Sequence, residues 1–208
     1  MRCFIKVCVV VFAVGVSMYA LADAESKSGP RMATAYFAGG CFWCMEPPFD
    51  KLDGVSETVS GYMGGAAATA TYQQVSSGRT AHVEAIKITY DPSRVSYDTL
   101  LEVFWRNVDP FDAQGQFCDK GPQYKSYIYP SNAQEKQRAL ASFADVKGRF
   151  QKQGGANASA KIATEIVDAK AFYPAEAYHQ NYYQRNPLRY KYYRSSCGRD
   201  RRLEAVWG

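Results

Sequence analysis

The chain has no second C-x-x-C besides Cys41-Phe42-Trp43-Cys44, so a zinc site built from two such motifs is excluded. It also lacks a Gly-x-x-x-x-Gly-Lys loop and a dinucleotide G-x-G-x-x-G fingerprint, which removes the common phosphate- and nicotinamide-binding architectures. No unit repeats at a fixed period, so a solenoid or propeller is ruled out. Charge of one sign is scarce: 25 basic residues face 20 acidic ones, a formal balance of +5. That excess is too mild to argue for nucleic acid, and no basic stripe with interleaved aromatics supports it. The stretch from Arg185 to Arg202 is locally basic, but it is tyrosine-rich and reads as a surface tail.

Long apolar runs are confined to the start. Arg2 and Lys6 precede an apolar stretch from Val7 to Tyr19, and Ala20-Leu21-Ala22 forms an A-x-A site before Asp23. This is the pattern of a secretory signal peptide over residues 1–22, with an uncleaved anchor as the alternative. A periplasmic or secreted protein is expected, followed by a flexible leader over residues 23–32. The remainder, residues 33–208, is the size of one compact domain, with a tail at 186–208. Cys3 and Cys8 leave with the signal. Cys41, Cys44, Cys118 and Cys197 remain, for a compartment where paired thiols are expected.

Element signals then alternate. Ala33 to Phe37 reads as a strand, the run to Leu52 as a helix with Phe42, Met45 and Phe49 at helical spacing, and Val55 to Tyr62 as a second strand. Ala81 to Tyr90 alternates as a third. Ser96 caps a helix whose apolar stripe is Tyr97, Leu100, Leu101, Phe104 and Val108. Asp109 to Gln123 is a loop, Tyr124 to Tyr129 a strand, and Asn132 to Arg149 a longer helix. A strand over Ile162 to Val167 and a helix begun by Pro174 close the series. The order predicts an α+β two-layer sandwich, a mixed sheet with a ferredoxin-like split βαββαβ core. The last segment, Asn186 to Gly208, has weak structure signals and is expected to wrap the surface.

Cys41 falls at the turn between the first strand and the first helix. There, free N–H groups and the positive end of a helix dipole are expected to favour its thiolate. Cys44 lies one helical turn on, and Phe42 and Trp43 offer an aromatic wall. In the third strand, His82, Glu84, Ile86, Ile88 and Tyr90 share one face. A carboxyl among those isoleucines is desolvated and keeps its proton near neutral pH, unless it is a salt-bridged strand carboxylate.

The stretch Gly40-Cys41-Phe42-Trp43 resembles the signature of the A-type peptide methionine sulfoxide reductases. Similar matches follow in order: Gly61-Tyr62-Met63-Gly64-Gly65, Thr71-Tyr72-Gln73-Gln74-Val75, His82-Val83-Glu84, Asp119-Lys120-Gly121-Pro122-Gln123-Tyr124, and Phe172-Tyr173-Pro174-Ala175-Glu176-Ala177-Tyr178-His179-Gln180. Cys44 departs from the pattern, where many members carry glycine. Ala81 likewise replaces a glycine before His82.

The resemblance implies thiol-dependent reduction of methionine S-sulfoxide, free or in proteins, and repair after oxidative damage. Cys41 would be the nucleophile and Glu84 the proton donor. Tyr72 and Tyr124 would bind the sulfoxide oxygen, and Asp119 would help position the site. Phe42 and Trp43 would receive the S-methyl group. No metal and no cofactor are implied, and a thioredoxin-like dithiol would supply electrons to a monomeric enzyme acting on methionine sulfoxide-containing proteins. The sulfenic acid left on Cys41 must condense with a second thiol. Cys197 is ranked first, matching the family's habit of a distal resolving cysteine, then Cys44, then Cys118. Two other classes remain: a secreted thiol–disulfide oxidoreductase using Cys41 and Cys44, and a zinc-stabilised module recruiting Cys41, Cys44 and two of Cys118, His179 and Cys197.

Overall fold

The computed structural model describes residues 31–155 and 157–208. The expected signal peptide over 1–22 and nearly all of the expected leader over 23–32 therefore lie outside the described residues. Eight strands form: β1 Ala33–Gly39, β2 Val55–Met63, β3 Val83–Tyr90, β4 Gly115–Gln116, β5 Asp119–Lys120, β6 Ser126–Tyr129, β7 Glu165–Ile166 and β8 Phe172–Pro174. The helices are α1 Phe42–Asp50, α2 Tyr72–Val75, α3 Tyr97–Arg106, α4 Ala133–Gln153, α5 Tyr182–Arg185, α6 Pro187–Ser196 and α7 Arg199–Trp207. Among the described residues no helix is long and apolar enough to cross a membrane.

Six strands make one sheet in the order β7-β6-β1-β3-β2-β8. Its middle four pair antiparallel, which is the split βαββαβ arrangement. The parallel pairing of β6 with β7 makes the sheet mixed. The register sets Phe37 opposite Ile86, and Tyr62 opposite Glu84. Alternation along β3 sends Ile86, Ile88 and Tyr90 into the main core with Phe42, Met45, Phe49, Leu100, Leu101 and Phe104. Val83 and Ala85 face a smaller cluster with Ala38, Met63 and Tyr129. Each large aliphatic or aromatic side chain so buried contributes roughly 1.5–3 kcal/mol.

The helices start where local chemistry supplies acceptors. Ser96 Oγ accepts from the Thr99 N–H at 3.1 Å, and Asn132 Oδ1 accepts from the Glu135 N–H at 2.9 Å. These caps satisfy donors that the first helical turn leaves open.

Three segments depart from the sequence expectation. Pro174 ends the edge strand β8 opposite Gly61 rather than opening a helix. An edge strand tolerates a residue without an N–H, so tertiary pairing outweighs the helix-start preference. The strand expected over Ile162 to Val167 shrinks to Glu165–Ile166, because the Ala163 N–H turns to the Pro110 carbonyl. The C-terminal tail is helical and docked: α7 carries Arg199, Val206 and Trp207 into the interior, and the Trp207 indole donates to the Val108 carbonyl at 3.0 Å. Its polar, aperiodic sequence hides these anchors, which sit at the two ends of α7.

Candidate active site

Cys41 is the residue that caps α1. The chain reaches it through Gly40 at φ +83, where an added Cβ would meet the Gln116 Cβ at 2.6 Å. Only glycine makes that turn without strain. The first helical N–H, that of Phe42, donates to Glu84 Oε2 at 3.0 Å, and the Cys44 N–H donates to the Cys41 carbonyl at 3.0 Å. The helix start thus joins the thiol to the carboxyl of β3, and spends its donors on groups other than the Cys41 sulfur.

The electrostatics correct the expectation for Cys41. Burial pushes its thiol well above the ordinary range, and Cys44, Glu84 and Asp119 add to the rise. Cys44 is held down near 7, chiefly by the hydrogen bond from Cys41, against burial and with help from Arg199 and Arg194. Of the two free thiols Cys41 is therefore the one held protonated, while Cys44 ionises near neutral pH. Glu84 is 2% exposed, and burial pushes its carboxyl up to about 8 despite the Phe42 N–H. It is a protonated acid at neutral pH.

Aromatic groups ring the sulfur. Trp43 stacks on Tyr182 at 3.7 Å between centroids, and its indole donates to His179 Nδ1 at 3.0 Å. Burial lowers His179, which keeps the ring neutral and able to accept that bond. Phe42 lies 5.0 Å from the His179 ring and 6.0 Å from that of Tyr62. Tyr72 is 4.4 Å from His179, while its N–H donates to Glu176 Oε1 at 2.8 Å. Tyr124 follows the β5 strand through a short turn. Burial raises both phenols, and the charges of Glu84 and Cys41 raise them further, so both stay protonated donors near the thiol and the acid. Asp119, raised by burial, accepts from the Tyr193 hydroxyl at 2.5 Å.

All of Cys41, Glu84, Tyr72, Tyr124, Asp119, Phe42 and Trp43 thus converge on one end of the sheet. Four residues that the sequence reading did not single out join them: Tyr182, Tyr193, Glu176 and, as a site residue, His179. The tyrosine-rich run was visible as composition, but no periodicity separated these tyrosines from surface ones. A cavity of about 760 Å³ between α3 and α4, beside Trp105 and Trp207, is elsewhere and is lined by no cysteine.

The cysteine pairing differs from the sequence ranking. Cys197 is bonded to Cys118 at 2.03 Å, across a separation of 79 residues, while Cys41 and Cys44 are both free and buried. The tail expected to wrap the surface is instead helical, and it brings Cys197 to the β4–β5 turn. That pairing also occupies two of the sulfurs a zinc set would need, and His179 already accepts from Trp43.

Residues 33–208 match the family model described as Peptide methionine sulfoxide reductase. The chain belongs to that family. It is 46% identical over 175 residues to the peptide methionine sulfoxide reductase MsrA of Listeria monocytogenes, covering 83% of this chain and 94% of the relative. A Vibrio cholerae relative, named as a peptide methionine sulfoxide reductase MsrA/MsrB, is 40% identical over 202 residues. The match takes in 94% of this chain but only 51% of that longer protein. The structure of methionine sulfoxide reductase A of Corynebacterium diphtheriae superposes with a TM-score of 0.69 at 33% identity, over 77% of this chain and 78% of that one. This reductase-family chain carries Cys44 one helical turn after Cys41, with both thiols free and buried.

Proposed function

We infer that the protein is a peptide-methionine (S)-S-oxide reductase that works through the Cys41 sulfur. The observation that carries the reading is the free Cys41 thiol capping α1, with the protonated Glu84 carboxyl bonded to the next N–H inside an aromatic wall. Membership of the family gives the reaction class, and the residues supply its parts.

The S-methyl group of a methionine sulfoxide seats against Phe42 and Trp43, where apolar burial and sulfur–aromatic contact favour it. Its oxygen then faces the Glu84 carboxyl and the phenols of Tyr72 and Tyr124. As Cys41 attacks the sulfoxide sulfur it passes its proton to Cys44 along their hydrogen bond. Glu84 protonates the departing oxygen. The hydroxyl then passes from the substrate sulfur to the Cys41 sulfur: the substrate S–O bond and the transient S–S bond break, the Cys41 S–O bond forms, the thioether leaves, and Cys41 becomes a sulfenic acid. Cys44 is the nearest free thiol, and we assign it the first resolving step in place of Cys197. A thioredoxin-like dithiol then returns the two electrons. The basic start, apolar run and A-x-A site support export to the periplasm before this chemistry begins.

The test is reduction of a methyl sulfoxide substrate, offered as each sulfur epimer, with dithiothreitol as reductant. Turnover of the S epimer, abolished in Cys41→Ser with native circular dichroism, is the expected result. Disulfide exchange on protein substrates without sulfoxide turnover would establish the rival oxidoreductase instead.

A further inference from the structure

Arg199 is the largest fully buried side chain of the protein, at 1% exposed. Its Nη2 donates to the Gly39 carbonyl at 3.1 Å and to the Asn107 carbonyl at 2.6 Å, and lies 3.1 Å from Met45 Sδ. The guanidinium carbon sits 4.4 Å from the centre of the Phe117 ring. Nε is buried without a partner, and among the described residues Arg199 makes no salt bridge. Carbonyls and a ring orient the cation but do not neutralise it. A buried guanidinium, a permanent cation, costs several kcal/mol unless an anion answers it.

Arg199 acts on two acidic groups by the Cys41 turn, the Asp119 carboxyl and the Cys44 thiol. Glycines 39 and 40 lead straight into Cys41, and the Nη1 group lies 3.6 Å from where a Gly40 Cβ would stand. Cys44 faces negative charge from Asp119 and also acts on Glu84. The phenols of Tyr190 and Tyr193 face it too, and both are raised by burial, so both are neutral. Two cations oppose these groups, Arg199 and Arg194. Arg194, however, is already paired with Asp200, through its Nε at 2.9 and 3.1 Å and through its Nη2. Arg199 has no such ion pair among the described residues.

This matters most after the first chemical step. In the resting pair the Cys41 S–H is the main support of the Cys44 thiolate. Once Cys41 carries oxygen, that thiol donor is gone. We propose that Arg199 is a positioning residue for the second step, fixing the glycine turn before Cys41 and supplying the charge against which Cys44 attacks the oxidised sulfur. The inference rests on the reading of Cys41 and Cys44 as the reacting pair. In that step Cys44 gives up the proton it took from Cys41, its thiolate forms the S–S bond as the Cys41 S–O bond breaks, and the proton and the leaving hydroxide combine as water. The Cys44 sulfur is oxidised and the Cys41 sulfur reduced by one electron each, so the bond formed holds the balance.

The experiment separates the two steps in the full chain. Methionine formed in a single turnover reports the first, and the decay of sulfenic acid, trapped with a cyclic diketone at timed intervals, reports the second, from pH 5 to 9. In Arg199→Met the second step should fall about tenfold more than the first at pH 7, with its pH midpoint raised by about one unit, the size of change that losing one nearby charge produces. Arg199→Lys, which keeps the charge, should hold the midpoint near that of the wild type while losing rate. Equal slowing of both steps in Arg199→Met, with an unmoved midpoint, would reduce Arg199 to a packing residue. If the methionine variant does not fold, the lysine variant decides alone: a midpoint raised as far as a full unit overturns the proposal, and a retained one upholds it. Cys44→Ser tests the underlying reading separately. If it still converts the Cys41 sulfenic acid to a disulfide at the wild-type rate, Cys44 is not the partner and the inference falls with it. If it blocks that step while Arg199→Met does not alter it, only the role of Arg199 is lost.

Discussion

Replacing Glu84 by glutamine keeps the shape of the side chain and an oxygen for the Phe42 N–H, now 3.0 Å from Oε2, but removes the transferable proton. General acids of this kind contribute about 10²–10⁴ in rate, so the single-turnover first step should slow by that factor. The pH dependence is sharper evidence than the size. With the carboxyl midpoint raised to about 8, about nine-tenths of the acid is protonated at pH 7 and about one-tenth at pH 9. The ratio of wild-type to glutamine rate cancels the titration of the thiols and isolates this group. It should fall about tenfold between those pH values. The same shift has a stability consequence with a definite sign. The folded state holds a proton on Glu84 that the unfolded chain releases near its ordinary 4.5, so wild-type stability declines as pH rises from there to about 8. The decline is up to about 5 kcal/mol from this group, and the glutamine variant should lose that part of the slope. Quenched-flow counting of methionine and urea unfolding across the pH range measure both. A rate ratio that stays flat from pH 6 to 9 would refute the assignment of Glu84 as the proton donor.

Two further predictions concern what holds the site in place. Trp207→Ala removes a ring that is 5% exposed and the indole bond to Val108, and should cost about 3–5 kcal/mol in urea unfolding, with early proteolytic cuts moving into α7. Unchanged stability would mean that the last helix is not an anchor. Gly61→Ala places a Cβ 2.3 Å from Phe172 Cζ and 2.4 Å from the Tyr173 carbonyl, so β8 must shift. A cost of about 1–3 kcal/mol is expected, with a raised KM, because the chain leaving β8 carries Glu176 and His179 into the site. Wild-type stability and KM together would show that β8 gives way freely.

Much of the site was legible because its parts lie within single elements. Alternation in β3 puts Glu84 on the face of Ile86 and Ile88, and that face is the core. The caps of α3 and α4 followed from Ser96 and Asn132, whose short side chains reach the N–H groups three residues on. The thiol chemistry was less readable. A helix N-terminus promised a low titration for Cys41, but burial raised it, the charges of Cys44, Glu84 and Asp119 added to the rise, and the carboxyl of another strand took the first N–H.

Sequence alone thus determined most of the elements, the split core and the strand face that carries Glu84, since periodicity, caps and strand alternation act over a few residues, while the pairing of Glu84 with Cys41 came from the family resemblance. Tertiary structure alone decided which sulfurs meet. Cys118 and Cys197 are joined across 79 residues because the β4–β5 turn and α6 are brought together by packing. Arg199 lies behind the Cys41 turn because the last two helices fold back over the domain. Such contacts depend on where distant elements dock, and no local pattern of residues encodes that.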